Sequence, residues 1–569
     1  MRILLIQPPI QEFYRTSIRT QPIGLAYLAA SLRMKGHEVE ILDCQTERKK
    51  SIPIPSGLSY LKDFYPFEDR SPFKLYTGYY HFGMEWGEIA ERIKNSKAEV
   101  FGISSSFTPY HGEALRVAQI IKNWDQTKIV VMGGAHVSCD PKGVLKSPFV
   151  DFVILGEGEV RFPSLLEQIG KGRLRNIGEI DGVGYRKTGM TRNQDREIQI
   201  NPLQDFIQDL DSLPHPAREL LHPDQYRIGK KRSTMIITSR GCPHGCAYCS
   251  AHLVMGRVFR SRAPEAVLKE TMECRKKYGV EIFDIEDDNF TFDQGRAKEL
   301  MSLVIENFGE GKIKLSAMNG VSFASLDEEL LRLMKRAGFD TINLSFVSVD
   351  SSTKERLRRP KPAAEFATIV EKAEQVGLNV IGYAIMGMPG QTVEEMADTL
   401  IDLMGRRVLI GPSVYYPTPG TPLLEACEQG GVLPPADLSQ WRSTAFPIET
   451  EEFNRLDMLT LFRLARVINF VKGKMDEKEL DEGMTWRQLL RFLNDRAEGG
   501  VESLAPRFSL RKSDAWINLL LLLLQEKSFF GLKKVAGGLS LLRERGSKKV
   551  LDYFFEKAWR SPVLKSRNI

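Results

Sequence analysis

Residues 234–250 read TMIITSRGCPHGCAYCS, and this stretch decides the fold predicted for the middle of the chain. A short apolar strand leads into a loop in which Cys242, Cys246 and Cys249 follow a CxxxCxxC spacing. Thiolates are soft ligands that suit iron–sulfur clusters, and a four-iron cluster ordinarily takes four of them. With three thiolates, the loop predicts a 4Fe-4S cluster that keeps one iron open to a further ligand.

A structural zinc ion is the alternative for the same loop, with His244 or His252 as its fourth ligand. Closed zinc sites more commonly pair CxxC units separated by a longer loop. The remaining cysteines are scattered singly, at Cys44, Cys139, Cys274 and Cys427. Clustered thiols without a disulfide-like spacing are typical of a reducing compartment. The spacing therefore favours the iron–sulfur cluster.

Six strands are predicted from residue 234 onward, with a helical segment between each pair. They lie near residues 234–238, 281–286, 312–317, 340–347, 378–386 and 409–416. A run of βα units predicts a full or partial parallel barrel, whose ligands bind on the loops at the carboxyl ends of the strands. Because the cysteine loop follows the first of these strands, we expect it at the barrel mouth.

The first part of the chain also alternates strands and helices. Strands are predicted at Arg2–Gln7, His37–Asp43, Glu99–Ser104, Lys128–Met132 and Asp151–Leu155. This alternation predicts a parallel, doubly wound sheet. Glycine turns at Gly133-Gly134 and Gly156–Gly158 fall at strand ends, where such sheets bind ligands.

The whole chain is therefore predicted as an α/β protein of four parts. A doubly wound, Rossmann-like sheet is expected over residues 1–165, a connector over 166–230, a partial (βα)6 barrel over 231–428 and a helical region over 429–569. The last region includes helices predicted at Glu452–Lys472 and Asp514–Lys527. Leu519–Leu524 is apolar on every face, which indicates burial. The alternative is a helix on a membrane surface, with Phe529, Phe530, Lys533 and Lys534 near the headgroups.

Composition excludes some functions. The 569 residues are 42% hydrophobic and 27% charged, as in ordinary globular proteins, and the net charge of +6 is weak. Such a charge does not imply nucleic-acid binding, although it suits an anionic cofactor or substrate. The N-terminus, MRILLIQPP, lacks the features of a secretory signal, and no apolar run reaches the roughly 20 residues of a membrane span. We expect a cytoplasmic protein.

The CxxxCxxC loop after the first barrel strand, with Tyr248 before its last cysteine, resembles the radical S-adenosylmethionine (SAM) superfamily over about residues 230–425. The resemblance implies that SAM chelates the open iron and is cleaved by an electron from the cluster. The resulting 5′-deoxyadenosyl radical would abstract hydrogen from a substrate. It also implies an external electron donor such as flavodoxin or ferredoxin.

The same resemblance implies further SAM contacts. Asp287 and Asp288 in DDNFT occupy the place of the ammonium contact, where a carboxylate would make a charge-assisted bond. Helix capping is the alternative for these residues. Asp350 corresponds to a ribose-binding turn that more often carries Glu, and it is equally compatible with a plain turn aspartate. Gly387 and Pro389 in GYAIMGMPG correspond to the segment beside the adenine.

The order of the domains resembles the cobalamin-binding subgroup of that superfamily. The motifs PIGL (22–25), GGAHVS (133–138) and LGEGE (155–159) contribute to the resemblance. It implies a cobalamin site formed by Gly24, Ser105, Gly133, Gly134, His136, Gly156 and Glu157. The DxHxxG motif that supplies a histidine to cobalt in other cobalamin proteins is absent. His136 is the nearest candidate, with ordinary hydrogen bonding as the alternative, and Ser105 is equally compatible with helix capping.

The sequence disfavours two other functions, dinucleotide binding and methylthiotransfer. No GxGxxG opens a helix after the first strand, which argues against a dinucleotide. Methylthiotransferases carry a second cluster on three N-terminal cysteines, whereas only Cys44 and Cys139 precede the barrel. The sequence thus predicts methylation of an unactivated carbon in a small molecule, lipid or natural product. Cyclisation or oxidative rearrangement without methyl transfer is the alternative, followed by a non-catalytic corrinoid-binding protein.

Overall fold

The N-terminal sheet is built on β1, whose RILLIQ sequence is buried from its second residue onward. In the computed structural model, Ile3 and Leu5 enter the core on one face of the sheet, and Leu4 and Ile6 enter the core on the other. A strand that is apolar on both faces is typical of a parallel sheet covered by helices on both sides. The structure describes residues 1–14, 21–45, 48–65, 69, 74–76, 78–187, 197–359, 363–476, 542 and 545–560.

The strands and helices of the first part have the following bounds. The strands are β1 Arg2–Gln7, β2 Ile10–Glu12, β3 Glu38–Asp43, β4 Lys49–Ile52, β5 Tyr79–Phe82, β6 Val100–Ser104, β7 Ile129–Gly133, β8 Phe152–Ile154, β9 Val183–Arg186 and β10 Ile198–Ile200. The helices are α1 Ile23–Met34, α2 Trp86–Asn95, α3 His111–Trp124, α4 Ala135–Cys139, α5 Pro141–Leu145 and α6 Gly158–Gly170.

Seven of these strands form one sheet in the order β10-β9-β8-β7-β6-β1-β3. The five strands from β3 to β8 are parallel, and in chain order they run 2-1-3-4-5. This order belongs to a doubly wound fold that binds its ligand outside the strand ends, where the winding reverses. Helices α1 and α6 cover one face, and α2 and α3 cover the other. The predicted doubly wound sheet is confirmed.

The sheet also extends beyond the predicted 1–165 segment. Strand β9 pairs antiparallel with β8, and β10 pairs antiparallel with β9, although the residues of both were predicted as connector. Short antiparallel strands lack the βα rhythm on which the prediction relied. Strands β2, β4 and β5 form a separate antiparallel sheet in the order β2-β5-β4.

The second part has these bounds. The strands are β11 Arg227–Ile228, β12 Lys231–Ile236, β13 Ser239–Arg240, β14 Arg260–Ser261, β15 Ile282–Ile285, β16 Lys314–Ser316, β17 Thr341–Val347, β18 Asn379–Met386 and β19 Leu409–Val414. The helices are α7 Ala251–Val254, α8 Pro264–Tyr278, α9 Gln294–Phe308, α10 Glu328–Ala337, α11 Ser351–Arg356, α12 Ala363–Gln375, α13 Val393–Met404, α14 Pro422–Gln429, α15 Arg455–Asp476 and, near the end of the chain, α16 Lys548–Arg560.

The six predicted barrel strands are all present, as β12 and β15–β19. β12, β15 and β16 pair in parallel, and so do β17, β18 and β19. Single parallel bridges, Leu315 with Phe339 and Val321 with Leu344, join the two halves. The carboxyl ends of the six strands lie at one rim of the barrel, because parallel strands share a direction. The partial barrel is confirmed.

The C-terminal region packs on the outside of the barrel through α15, which contacts β19 and α13. The buried ammonium of Lys472 donates to the carbonyl oxygens of Leu403, Arg406 and Val408, each at 2.9 Å. These bonds satisfy carbonyl groups at the end of α13. The predicted helix Asp514–Lys527, with Leu519–Leu524, lies outside the described residues. Among those that are described, no helix combines the length and apolarity needed to cross a membrane.

Candidate functional site

The three predicted cluster cysteines lie on one loop at the barrel mouth. Cys246 is buried, whereas Cys242 and Cys249 are partly exposed. The Arg359 guanidinium donates to Cys246 Sγ at 3.7 Å, and the Ala251 backbone N–H donates to Cys249 Sγ at 3.5 Å. A cation and an N–H group next to sulfur stabilise the thiolate form. The loop therefore holds three thiols with donors suited to anionic, metal-bound sulfur.

Within the described part of the chain, no group of His, Cys, Asp and Glu side chains is arranged to hold a single metal ion. An iron–sulfur cluster does not need all its protein ligands around one ion, because each of its irons takes one cysteine. His252 Nδ1 lies 3.1 Å from the Cys249 carbonyl oxygen, and the His244 ring packs against Phe292. Neither histidine is grouped with the three cysteines around one common point in the described structure.

Asp287 anchors the strand that leads into the cysteine loop. Its buried carboxylate accepts from Thr238 N at 2.7 Å, Thr238 Oγ1 at 2.5 Å and Ser239 Oγ at 2.7 Å. These bonds occupy the side chain that the sequence assigned to the SAM ammonium. Asp288 is exposed instead, and one of its oxygens accepts from Gly241 N at 2.9 Å. Asp288 thus remains the better placed of the two for a cation.

Asn289 adds a polar group beside the cluster loop that sequence reasoning missed. Its Nδ2 lies 3.9 Å from Cys242 Sγ, and its buried Oδ1 has no hydrogen-bond partner in the described structure. A buried acceptor without a donor is costly unless a ligand supplies one. The site therefore fits a cosubstrate that brings an N–H or O–H donor to Asn289 Oδ1, close to Cys242.

The other residues predicted for SAM lie around the barrel rim. Tyr248 is partly buried, and burial raises the pKa of its phenol well above the usual value. Asp350 begins α11 as its N-cap, accepting from Thr353 N at 2.6 Å. Arg356 of the same helix donates to the Pro389 carbonyl oxygen at 2.7 Å, so the Asp350 and Pro389 loops are adjacent. Gly387 is buried with a φ of +81°, and a Cβ there would meet Met458. The contacts with ribose and adenine stay predictions.

A cavity of about 410 Å³ opens between the N-terminal strand ends and the barrel mouth. Six of the residues predicted for cobalamin line it, namely Gly24, Ser105, Gly133, Gly134, Gly156 and Glu157. The barrel contributes Met235, Ile237, Arg240 and Glu286 to the same wall. The volume is that of an ordinary ligand pocket, and the wall is mainly apolar with a few polar groups. One cavity thus lies between the predicted cobalamin residues and the barrel strand that leads into the cysteine loop.

The glycines of this wall differ in what surrounds them. A Cβ on Gly24 would meet nothing within 4 Å, and one on Gly133 would meet only the Ile154 carbonyl oxygen at 3.6 Å. At Gly134, where φ is +113°, a Cβ would lie 2.7 Å from the Ser105 carbonyl oxygen. Gly24 and Gly133 therefore leave room for a ligand, whereas Gly134 is required by the protein's own backbone.

Glu157 lines the cavity, but protein groups use its carboxylate. The side chain is fully buried and pairs with Arg240 and Arg260 of the barrel, each at 2.9 Å from Oε1. Oε2 accepts from Ile207 N at 2.7 Å. The nearby Glu159 pairs with Arg240 at 2.6 Å. This arrangement makes Glu157 a link between domains, and a direct cobalamin contact by its carboxylate is not supported.

His136 is buried beneath the cavity wall, which runs through Gly134 and Ala135. Its Nδ1 lies 3.1 Å from Thr108 Oγ1, and its ring packs against His111 at a tilt of 47°, with 4.3 Å between centroids. Burial lowers the pKa of His136 to about 4 and that of His111 to about 3. Both rings are neutral near pH 7. Nε2 of His136 has no partner among the described groups, and a cobalt contact stays a prediction.

Glu286 was not predicted, yet it lies in the cavity wall directly after β15. Its Oε2 accepts from Asn319 Nδ2 at 2.8 Å, and burial together with Asp284 raises the pKa of Glu286 to about 7. Only its position after a strand end could have indicated it, because parallel barrels place their sites there. Arg240, two residues before Cys242, was also missed, because no local sequence pattern indicates that its side chain lines the cavity.

Two family models match the chain. The B12 binding domain matches residues 77–166, and the Radical SAM superfamily matches residues 236–403. These matches confirm the predicted order of domains. The three cofactors follow from them: cobalamin for the first domain, and SAM with a 4Fe-4S cluster for the second.

Several characterised and uncharacterised proteins are similar in sequence. An uncharacterized methyltransferase of Pyrococcus horikoshii is 28% identical over 490 residues, covering 85% of this chain and 95% of the relative. Cytidylyl-2-hydroxyethylphosphonate methyltransferase of Streptomyces wedmorensis is 28% identical over 487 residues, with 78% and 84% covered. Anaerobic magnesium-protoporphyrin IX monomethyl ester cyclase of Synechocystis is 25% identical, with 63% of each chain covered.

Solved structures share the fold. TsrM, a radical SAM methyltransferase from Kitasatospora setae with cobalamin and a 4Fe-4S cluster bound, superposes with a TM-score of 0.57 at 18% identity, over 78% of this chain and 84% of TsrM. OxsB, with aqua-cobalamin and SAM bound, gives a TM-score of 0.60 at 13% identity, over 98% and 83%. At these identities the likeness concerns the arrangement of the domains.

Proposed function

Because the chain joins a B12 binding domain to a radical SAM domain, it is a cobalamin-dependent radical SAM enzyme, and we propose that it transfers a methyl group from SAM to a carbon of a small-molecule substrate. When bound, the cluster supplies the electron that cleaves SAM, and cobalamin supplies a carrier for the methyl group. The protein's own residues position these groups and exclude water.

The shared cavity is the observation that carries this proposal. Its wall combines Gly24 and Gly133 of the first domain with Met235 and Glu286 of the barrel. A methyl carrier on the strand ends would therefore face the mouth where a substrate radical is formed. Transfer over a short distance needs such an arrangement, because reacting atoms must be held close together.

The barrel loops would hold SAM and the cluster. We assign Cys242, Cys246 and Cys249 as the cluster ligands, with Arg359 beside Cys246. Asp288 would accept a hydrogen bond from the SAM ammonium, since its carboxylate is exposed at the loop. Asn289 would place its unpartnered Oδ1 toward the same ligand. A charged hydrogen bond of this kind is among the stronger polar contacts in proteins.

Ring closure without methyl transfer is the second candidate, favoured by the similarity to the Synechocystis cyclase. That similarity covers 63% of the chain, whereas the two methyltransferases cover 85% and 78%. Methylation is therefore the first choice.

Lipids remain among the small-molecule substrates proposed. Contact with a membrane surface stays a prediction, because Leu519–Leu524 lies outside the described residues. A cytoplasmic location also stays a prediction.

The experiment uses reconstituted protein, dithionite and SAM labelled in its methyl group. We expect 5′-deoxyadenosine from radical cleavage and S-adenosylhomocysteine from methyl transfer, without an added substrate. Cys242→Ala should lose the cluster absorbance and 5′-deoxyadenosine. Cys274→Ala, a change of a thiol on α8 whose charged neighbours include Arg218 and Glu270, should lose neither. Cleavage of SAM without any S-adenosylhomocysteine, in protein loaded with cobalamin, would exclude methylation and favour ring closure.

A further inference from the structure

We propose that the exposed side of the cysteine loop is the docking surface for an acidic, one-electron carrier protein, and that Arg257 and Arg358 recognise it. The inference rests on the proposed function, because only a reducible cluster in this loop needs such a partner. Each SAM cleavage consumes one electron. The reduced carrier would lose that electron and the cluster would gain it.

The surface consists of Pro243, His244, Arg257, Val258, Phe292 and Arg358, which we call the cluster-loop face. Two of its apolar side chains are unusually open, with Val258 64% and Phe292 42% exposed. The His244 and Phe292 rings pack edge-on with 6.0 Å between centroids, so these groups form one continuous patch. Aromatic groups combined with arginine are enriched in protein–protein interfaces.

The two arginines converge on the middle of the cysteine loop. A Cβ placed on Gly245 would lie 3.4 Å from Arg257 Nη1 and 3.9 Å from Arg358 Nη1. Gly245 directly precedes Cys246, so the surface under these guanidinium groups is also the surface over the cluster ligands. Arg358 reaches this place from a backbone with a φ of +59°, which non-glycine residues rarely adopt.

Their charges are not neutralised by the protein. Among the described residues, neither Arg257 nor Arg358 forms an ion pair, although arginines elsewhere on the surface do, as Arg332 with Glu328 and Arg336 with Glu310. Two like charges on one patch repel each other unless an anion lies between them. An acidic protein would supply that anion and would also be steered to the patch from a distance.

Charge reversal tests the inference in the holoenzyme. The Arg257→Glu, Arg358→Glu double variant would be mixed with reduced flavodoxin in a stopped-flow instrument, and bleaching of the cluster absorbance would be followed at low and high salt. We expect the rate constant to fall at least tenfold at low salt and to lose its salt dependence. Reduction by dithionite at high salt, where the negative charge of dithionite itself is screened, should be unchanged. The matched control, Arg92→Glu with Lys94→Glu on the exposed side of α2, should behave as wild type with both reductants.

The outcomes separate the docking surface from the proposed function. Unchanged reduction by flavodoxin would overturn the docking surface. Slower reduction of the double variant by dithionite at high salt would also overturn it, because the arginines would then act on the cluster itself. A weaker affinity for pyrophosphate, with unchanged reduction by flavodoxin, would make the patch a small-anion site and overturn it as well. If wild-type protein yields no 5′-deoxyadenosine with dithionite, the proposed function has failed instead.

Discussion

Arg240 Nη1 donates to Glu157 Oε1 at 2.9 Å, and this bond joins the cobalamin-binding domain to the strand that leads into the cysteine loop. Arg260 makes a second bond to the same oxygen, also at 2.9 Å. All three side chains are almost completely buried. Since Arg240 is two residues from Cys242, a change at this contact is expected to reach both cofactor sites.

Glu157→Gln should destabilise the interface between the two domains. It removes the carboxylate that Arg240 and Arg260 share. Arg240 keeps its pair with Glu159, whereas the buried Arg260 loses the one ion-pair partner that it has among the described residues, a change that typically costs about 3 kcal/mol or more. We expect a lower urea midpoint and weaker retention of both cobalamin and iron. Glu159→Gln is the control, because Glu159 pairs only with Arg240 in the described contacts. It should cost roughly 1 kcal/mol. Equal effects of the two variants would contradict a central role for Glu157.

Gly24→Leu should abolish cobalamin retention in a folded protein. Its new side chain meets no protein atom within 4 Å at the Cβ, so it extends into the cavity that we assign to the corrin. The thermal midpoint and the cluster absorbance should stay near the wild-type values, because the cysteine loop belongs to the other domain. Cobalamin bound at wild-type stoichiometry would place the corrin elsewhere.

Gly134→Ala should instead destabilise the cobalamin-binding domain itself. The added Cβ lies 2.7 Å from the Ser105 carbonyl oxygen, and φ is +113°, so the backbone must shift. We expect a lower thermal midpoint even in protein without cobalamin. Gly133→Ala is the neighbouring control, with its nearest atom at 3.6 Å, and should melt like wild type. If both variants melt alike, the conformation of Gly134 carries no such cost.

The sequence predicted the domains well, since strand-helix alternation and the glycine turns are local signals. The resemblance also implied which residues belong to the cobalamin site, and Gly24, Ser105 and Gly133 do line one cavity. It did not predict how side chains are used there. Asp287 and Glu157 were assigned to ligands, yet buried protein donors occupy both carboxylates. Such partners are distant in sequence, at Thr238 and Arg240, and no local pattern identifies them.

Asp287→Asn and Asp288→Asn should have different effects. Asp287 accepts three hydrogen bonds, and an amide N–H₂ in place of one oxygen would face the Thr238 or Ser239 donors. We expect this variant to lose iron and thermal stability. Asp288→Asn should keep the cluster and weaken SAM binding about tenfold, as for a lost charge-assisted bond of roughly 1.4 kcal/mol. Iron content and equilibrium binding of SAM measure the two effects. Loss of iron in the Asp288 variant alone would reverse the assignments.

Glu286→Gln should raise stability at alkaline pH relative to wild type. Burial and the nearby Asp284 raise the pKa of Glu286 from 4.5 to about 7 in the folded protein. Between these two values the folded state holds the proton more tightly than the unfolded state, so stability falls as pH rises through this range. Glutamine cannot ionise and is free of this loss. The difference in thermal midpoint, variant minus wild type, should therefore be more positive at pH 8 than at pH 5.

Comparison with Asn319→Ala identifies the source of that pH dependence. Asn319 Nδ2 donates to Glu286 Oε2 at 2.8 Å and favours the ionised form, so its removal should raise the pKa of Glu286 further. The loss of stability should then extend to higher pH than in wild type. Distant groups such as His111 and His136 remain in both variants, so their contributions cancel in each difference. Asp284 interacts directly with Glu286, so its response to the substitution is part of the measured effect. A difference between Glu286→Gln and wild type that stays constant from pH 5 to 8 would mean that Glu286 is ionised throughout, and that it does not share a proton with Asp284 at the cavity wall.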